Sequence, residues 1–397
     1  MNSFALSFTS GVVWSLALIV TAIPWLIALD PRSFKAAVRR PATWAIAAGV
    51  CVGLAALLAF FVGLVQDPGR LRIWGKAYGA VLEVQLIIDF FVVIFPLLTF
   101  VWPQGAAVAL AAFREGVRQP MFWLIIAFAA GLMMFSPFLP YFTFGEDYKM
   151  VREIGYDITM LAGVLFAVLA ASLSITEEIE GRTAITVMSK PVSRRQFLLG
   201  KYVGILLAGL LMIGLLGWLF NGVMWFEWWF DNQDVPDPYW SNIVAGNWSD
   251  TIGQTPLNFS IGAGIWFDYV LVAHPGLLFG ACQTMVLLAV AVALATRLPF
   301  IVTFVTCAVV FFLGHLTHVL VQVSAGRYTL VNFMAKFFDN VLPGLEYFDL
   351  GPVLVRDIMP ERSVFFAYEC SVSLYAVLYT TIVLLFGLIL FEDRDLA

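Results

Sequence analysis

Few residues in this 397-residue chain have the type and spacing to do chemistry. Glu83, Gln85 and Asp89 interrupt an apolar run, and ionisable groups at membrane depth are costly enough to mark ion or proton paths. Gln85 and Asp89 are four apart and share a helix face, whereas Glu83 is turned away from Asp89. At headgroup level the same groups would serve packing or the interface. His315 and His318 are three apart and could share a metal, but no third ligand stands near in sequence. Histidines satisfied inside a membrane helix are the plainer reading. Cys51, Cys282, Cys307 and Cys370 form no C-x-x-C pair and read as buried small hydrophobes. There is no G-x-x-x-x-G-K-[ST] phosphate loop and no Ser/His/Asp arrangement in a catalytic context. The densest charge is the run holding Glu177, Glu178, Glu180, Gly181, Arg182, Lys190, Pro191, Ser193, Arg194 and Arg195.

The elements that must position these groups follow from composition. The chain is 61% hydrophobic and 12% charged, with mean hydropathy +0.90. A soluble domain is about 25% charged, so this chain cannot solvate a globular surface. Disorder, a disulfide scaffold and a nucleic-acid binder are excluded with it. A bilayer core of ~30 Å needs ~20 apolar helical residues per crossing. Nine runs qualify: 9–29, 42–65, 80–102, 121–139, 158–176, 197–220, 270–296, 299–321 and 368–391. The expected fold is an all-α polytopic membrane protein of about nine transmembrane helices. The first run lacks a basic leader and a small-x-small cleavage site, so it reads as a retained helix. Gly49-x-x-x-Gly53 and Gly200-x-x-x-Gly204-x-x-x-Ala208 put small residues on one face, where backbones can approach.

Orientation follows Lys and Arg in the connections. Residues 221–269 hold Glu227, Asp231, Asp234, Asp237, Asp250 and Asp268 but no Lys or Arg, which places that loop, with 322–367, outside. By alternation 176–196, Arg297, Arg114, Arg118, the cluster Arg32, Lys35, Arg39 and Arg40, and the C-terminus are cytoplasmic. The loop around Arg70, Arg72 and Lys76 then falls outside, against the rule. The aromatic run 225–230 is expected as an interfacial helix, since tryptophan favours the headgroup level.

Residues 176–196 read as a stiff elbow. Gly181 breaks the chain direction after the acids, and Lys190-Pro191 ends a short semi-apolar element. Ser193 with Gln196 is a capping-box pattern that starts the next helix, with Val192 and Phe197 as its staple.

This stretch, with SKPVSRRQFLLGKY at 189–202, resembles the first cytoplasmic loop of ABC-2 type transporter permeases. Residues 109–123 fit the short amphipathic elbow of that family, with Phe113/Val117 and Arg114/Arg118 each repeating at i,i+4 beside Glu115. The resemblance implies a six-helix permease core at 105–397 behind an N-terminal membrane extension at 1–104. It also implies a transport subunit that is not itself an enzyme and binds no cofactor of its own. ATP would sit on a separate ATPase subunit docked on 176–196, in a bacterial inner membrane, with a second identical or related permease completing the pore. Two other classes compete: an ion-coupled secondary transporter using Glu83 and Asp89, and a membrane-embedded lipid enzyme working in the outer loop. The first would show a repeated acidic helix and the second a cluster of His, Asp or Glu outside; neither pattern is evident.

Overall fold

The computed structural model describes residues 3–65, 67–139, 141, 147–180, 193–230, 239–248, 254–324, 329–351, 353 and 362–392. Among these every regular element is helical. The long helices are α1 Ser3–Leu29, α3 Pro41–Leu64, α4 Pro68–Val101, α6 Pro120–Phe135, α7 Asp147–Glu180, α8 Arg194–Phe230, α10 Gln254–Ala295, α11 Phe300–Ser324 and α13 Arg362–Glu392. Nine helices among the described residues are long and apolar enough to cross a bilayer, as the apolar runs predict. Four short helices lie between them: α2 Pro31–Val38, α5 Pro103–Arg118, α9 Trp240–Trp248 and α12 Thr329–Val341. Five helices (α2 to α6) open on a proline, the residue preset for the first helical position because its missing N–H would have no partner there.

Four helices outrun their apolar segments, among them α7, which begins at Asp147 ahead of the run at 158–176. α4 begins at Pro68, so Arg70, Arg72 and Lys76 lie on a helix and not in the expected loop. The Asp67 carboxylate accepts the Gly69 N–H at 3.1 Å and starts it. Each of these basic residues has a partner: Arg70 pairs with Asp67, Arg72 donates to Asn258, and Lys76 sits over the Trp225 and Tyr269 rings. α8 runs on through 225–230, which corrects the separate interfacial helix expected there. No proline interrupts it, and Asn221, Val223, Met224 and Trp228 are buried along its extension. α10 starts at Gln254, well before the run that announces it.

The chain divides into two compact units. The first holds Met1–Pro96 and Trp218–Ala273. Here Tyr78 donates its hydroxyl hydrogen to the Trp14 carbonyl and Thr21 donates to Gln85 Oε1, both at 2.8 Å and both 64 residues apart. That constant offset means α1 and α4 run parallel in fixed register, with α3 returning between them in sequence. Trp14, Val62, Leu71 and Phe259 form the buried core. α4 meets α10 through glycine: a Cβ on Gly75 would strike the Phe259 carbonyl, and one on Gly79 would stand 2.8 Å from Trp266 Cβ. Asp268 of α10 accepts the backbone N–H groups of Tyr239, Trp240 and Ser241, capping α9 from another helix.

The second unit holds Leu97–Gly217 and His274–Ala397. The boundary between the two units falls at 96/97, and 218–273 group with the N-terminal helices. The lengthened ends of α8 and α10 supply the helix faces that these helices bury. In the second unit, α5 turns its buried small residues Gly105, Ala109, Ala112 and Gly116 inward. They lie on the Gly200, Gly204 and Ala208 stripe of α8, where a Cβ on Gly204 would strike the Ala109 carbonyl. Phe122 of α6 packs edge-on against Phe166 of α7 at 5.2 Å. Gly49 and Gly53 of α3 meet nothing within 4 Å.

Candidate functional site

The charged run around 176–196 starts from α7 and ends on α8. Ser193 N–H donates to Gln196 Oε1 at 2.9 Å and Gln196 N–H to Ser193 Oγ at 3.2 Å, the reciprocal capping box that the spacing predicts. Glu177 is exposed on the last turn of α7 and Glu178 is half-buried beside it. Glu180 is helical. Gly181, Arg182, Lys190 and Pro191 lie outside the described residues, as does Val192.

Glu178 pairs with Lys201 of α8, and the elbow helix contributes an acid: Lys201 Nζ lies 3.0 Å from Glu115 Oε2. Lys201 also donates to Ser174 Oγ at 2.8 Å, and Ser174 donates on to Glu115 Oε1 at 3.1 Å. The Lys201 side chain is 5% exposed, Glu178 25% and Glu115 41%. One dehydrated cation is thus held by two partly wet carboxylates. Those four residues come from α5, the end of α7 and the start of α8, so the cluster fastens the elbow to both stems of the loop. Arg114 and Arg118 stay exposed on α5. Lys201 was missed as a site residue, although a lone ionisable group in an apolar run is a signal by itself.

Arg194 and Arg195 reach the end of α13. Arg194 donates to the Glu392 carbonyl at 2.8 Å and Arg195 reaches the Glu392 carboxylate at 3.4 Å. Phe197 stacks on Phe391 in support. The end of α13 is therefore bound to the start of α8, which puts the C-terminal end of α13 level with the loop.

The polar residues of α4 separate. Glu83 is buried, and its two oxygens accept from Asn221 Nδ2 at 2.8 Å and Trp266 Nε1 at 2.7 Å. Gln85 accepts from Thr21, and Asp89 faces Trp25, both on α1. The i,i+4 pair of α4 thus meets an i,i+4 pair of α1, and Glu83 serves α8 and α10 instead. Glu83 and Gln85 are helix-to-helix fastenings.

In the second unit a cavity of about 260 Å³ is lined by Glu153, Tyr156, Asp157, His315, Phe348 and Asp349, among others. Three of its lining residues are carboxylic acids. His315 is held by the Phe311 carbonyl at 2.8 Å and by Gln283 at 3.2 Å, as a satisfied intramembrane histidine would be. Among the described residues no group of three His, Cys, Asp or Glu is placed to hold a metal. Cys282 and Cys307 are buried as expected; Cys370 is exposed on α13.

No curated protein matches the chain. A family model described as ABC-2 family transporter protein matches residues 33–396, a span that takes in α3 and α4 as well as the six later membrane helices. With nine apolar helices among the described residues and an elbow tied to both stems of the loop that resembles the permeases, the chain belongs to the ABC-2 family of transporter proteins.

Proposed function

We propose that this protein is the permease subunit of an ATP-driven transporter, and that a separate ATPase docks on 176–196. The observation that carries this reading is the Lys201 cluster. A push on the loop reaches α5, α7 and α8 together through one buried ionic joint, so a docked motor would move three elements at once. Glu177, the exposed Arg114 and Arg118, and the loop residues between the stems form the surface a partner would grip. ATP belongs on that partner; we assign this chain no catalytic or metal-binding residue. The translocation path is completed by a second copy or a related permease.

The membrane is taken as the bacterial cytoplasmic membrane, with loop and C-terminus inside. One finding places the loop and the C-terminal end of α13 on the same side: Arg194 and Arg195 tie the end of α13 to the loop stem. Arg70, Arg72 and Lys76 count against the orientation.

Isolation of the tagged chain from its own membranes is expected to bring down a subunit carrying a phosphate-binding loop, and the pair to hydrolyse ATP. Reversing Glu177 and Glu180 to Lys, while leaving Glu178 on Lys201, should abolish that association or uncouple hydrolysis from transport. Saturable ATPase activity of the chain alone, or wild-type assembly and transport by the double variant, would sink the reading.

A further inference from the structure

We propose that the first unit holds an anionic phospholipid at one membrane surface. One acyl chain lodges in an apolar pocket between α3, α4 and α10, and the phosphate sits on Arg70 and Arg72. The inference needs the membrane-spanning fold, but neither the ATPase nor the orientation of the chain.

The pocket has a volume of about 230 Å³, and every residue that lines it is apolar. Val62, Leu71 and Phe259 are at most 4% exposed and form its floor, as part of the buried core of the unit. Phe61 and Trp74 stand at its rim, 58% and 61% exposed. A dry apolar cavity of ~150 Å³ already takes up benzene, so this one suits hydrocarbon and not a polar solute. Its walls are fixed in advance. A Cβ on Gly262 would strike the Arg72 carbonyl and one on Gly75 the Phe259 carbonyl, so α4 and α10 meet backbone to backbone. The Trp14 ring supports Phe259 from α1, with centroids 4.3 Å apart.

The position of the pocket along the helices matches a lipid. Leu58, Phe61 and Val62 lie in the last two turns of α3, which ends at Leu64, and Leu71 and Trp74 in the first two of α4. At 1.5 Å per residue the pocket extends about 10 Å from the turn joining those helices. The headgroup layer is about 5–7 Å thick on each side of the core, so the pocket begins among headgroups and ends among acyl chains. Trp74 stands where tryptophan is favoured. Leu57, Phe60 and Leu64 are exposed on the same end of α3 and must meet lipid.

The charge is at the headgroup end. Helical side chains lean toward the helix N-terminus, so those of Arg70 and Arg72, both exposed, lean toward the surface. Arg72 Nε donates to Asn258 Oδ1 at 3.3 Å, which joins the neighbours of Leu71 and Phe259 beside the pocket. That bond holds the planar guanidinium for a bidentate phosphate contact through its two terminal nitrogens. Arg70 lies 3.7 Å from Asp67 with the two side chains 77% and 60% exposed, a pair weak enough for a phosphate to displace. Lys76 is engaged with the Trp225 and Tyr269 rings instead. A zwitterionic headgroup would bring its own cation to the arginines, so an anionic one is preferred. The lipid phosphate also gives a use to basic residues that loop charge leaves unexplained.

The test uses the whole chain in phosphatidylcholine nanodiscs with a small share of a photoactivatable probe. The probe is phosphatidylglycerol or phosphatidylcholine with a diazirine partway down one acyl chain, and adducts are mapped by peptide mass spectrometry. The phosphatidylglycerol probe should label Phe61 and Trp74 about 10-fold more than the phosphatidylcholine probe, the scale expected of two arginines beside an anionic headgroup. Val52 and Leu86, exposed at mid-membrane, should not distinguish the probes. Arg70→Gln/Arg72→Gln should remove the preference, and Arg70→Lys/Arg72→Lys should restore part of it. Leu58→Trp, which fills the pocket, should lower labelling there by both probes and leave Val52 unchanged. Equal labelling of the wild type by the two probes, or a preference that survives the glutamine variant, would overturn the proposal. Loss of the preference on adding inorganic phosphate would overturn it by assigning the arginines to a free anion. Disulfide cross-linking of Phe61→Cys between two copies, with the native cysteines replaced, would give the pocket to a second chain.

Melting temperature in mild detergent provides a second reading. Phosphatidylglycerol should raise it for the wild type and not for the glutamine variant, since a ligand stabilises only the fold that binds it. An equal rise in both would reject the headgroup site.

Discussion

Glu83 in the first unit and Lys201 in the second are both charged-type residues buried among helices, but their surroundings differ in kind. Glu83 has two neutral donors, an amide and an indole, on two long helices. Lys201 has two carboxylates, one on the elbow and one on the loop stem. The first is a short-range clip that fixes helix register whatever charge Glu83 carries. The second is an ionic joint in which one buried cation lies between two acids that keep contact with water. Burial alone does not tell the two apart; the chemistry of the partners does.

The largest effect should come from Lys201→Ala. It leaves two carboxylates side by side without their cation, and the cost should fall toward the lower end of the roughly 3–5 kcal/mol that an orphaned buried charge carries, because both acids remain partly wet. Thermal unfolding in detergent, followed by tryptophan fluorescence, reads it. Adding Glu115→Gln and Glu178→Gln to Lys201→Met should recover most of the loss. If the triple variant is as unstable as Lys201→Ala, packing and not charge holds the joint.

Next comes Glu83→Ala, which strands the Asn221 and Trp266 donors in the core and should cost about 2 kcal/mol. Glu83→Gln keeps an acceptor and should lose less than half of that. Equal loss in the two variants would mean that the negative charge is required, which breaks the comparison and revives an ion-coupling role for this residue.

The smallest effect belongs to Arg195→Ala. Both partners of its pair with Glu392 are more than 60% exposed, and such pairs contribute under ~1 kcal/mol. A drop in melting temperature as large as that of Lys201→Ala would show that the α13 tie, and not the elbow joint, carries the load in the second unit.

Glycine spacing shows how far sequence alone could be read. Gly200-x-x-x-Gly204 and Gly49-x-x-x-Gly53 have the same pattern, yet only the first meets another backbone. Gly75-x-x-x-Gly79 makes an equally close approach and was passed over because Lys76 and Tyr78 disguise it. The pattern states that a close approach is possible; whether a partner helix comes is decided elsewhere in the chain. The capping box at Ser193 and Gln196 was fully legible, since both partners lie within one turn. The rim of the apolar pocket was not, because Arg72 and Asn258 lie 186 positions apart and read as unrelated groups until α4 and α10 are packed together.

The sequence by itself determined the helical class, the number of membrane crossings, the proline starts and the resemblance of the loop to the permeases. Each depends on run length or on contacts within a turn, which propensity and the bilayer enforce locally. Only the tertiary structure decided that α4, α7, α8 and α10 outrun their apolar segments, that Glu178 serves Lys201, and that Arg72 meets Asn258. Those outcomes join residues 86 positions apart at Lys201 and Glu115, and 183 apart at Glu83 and Trp266. At such distances a side chain's partner is set by which helices pack together, and packing is a property of the whole chain.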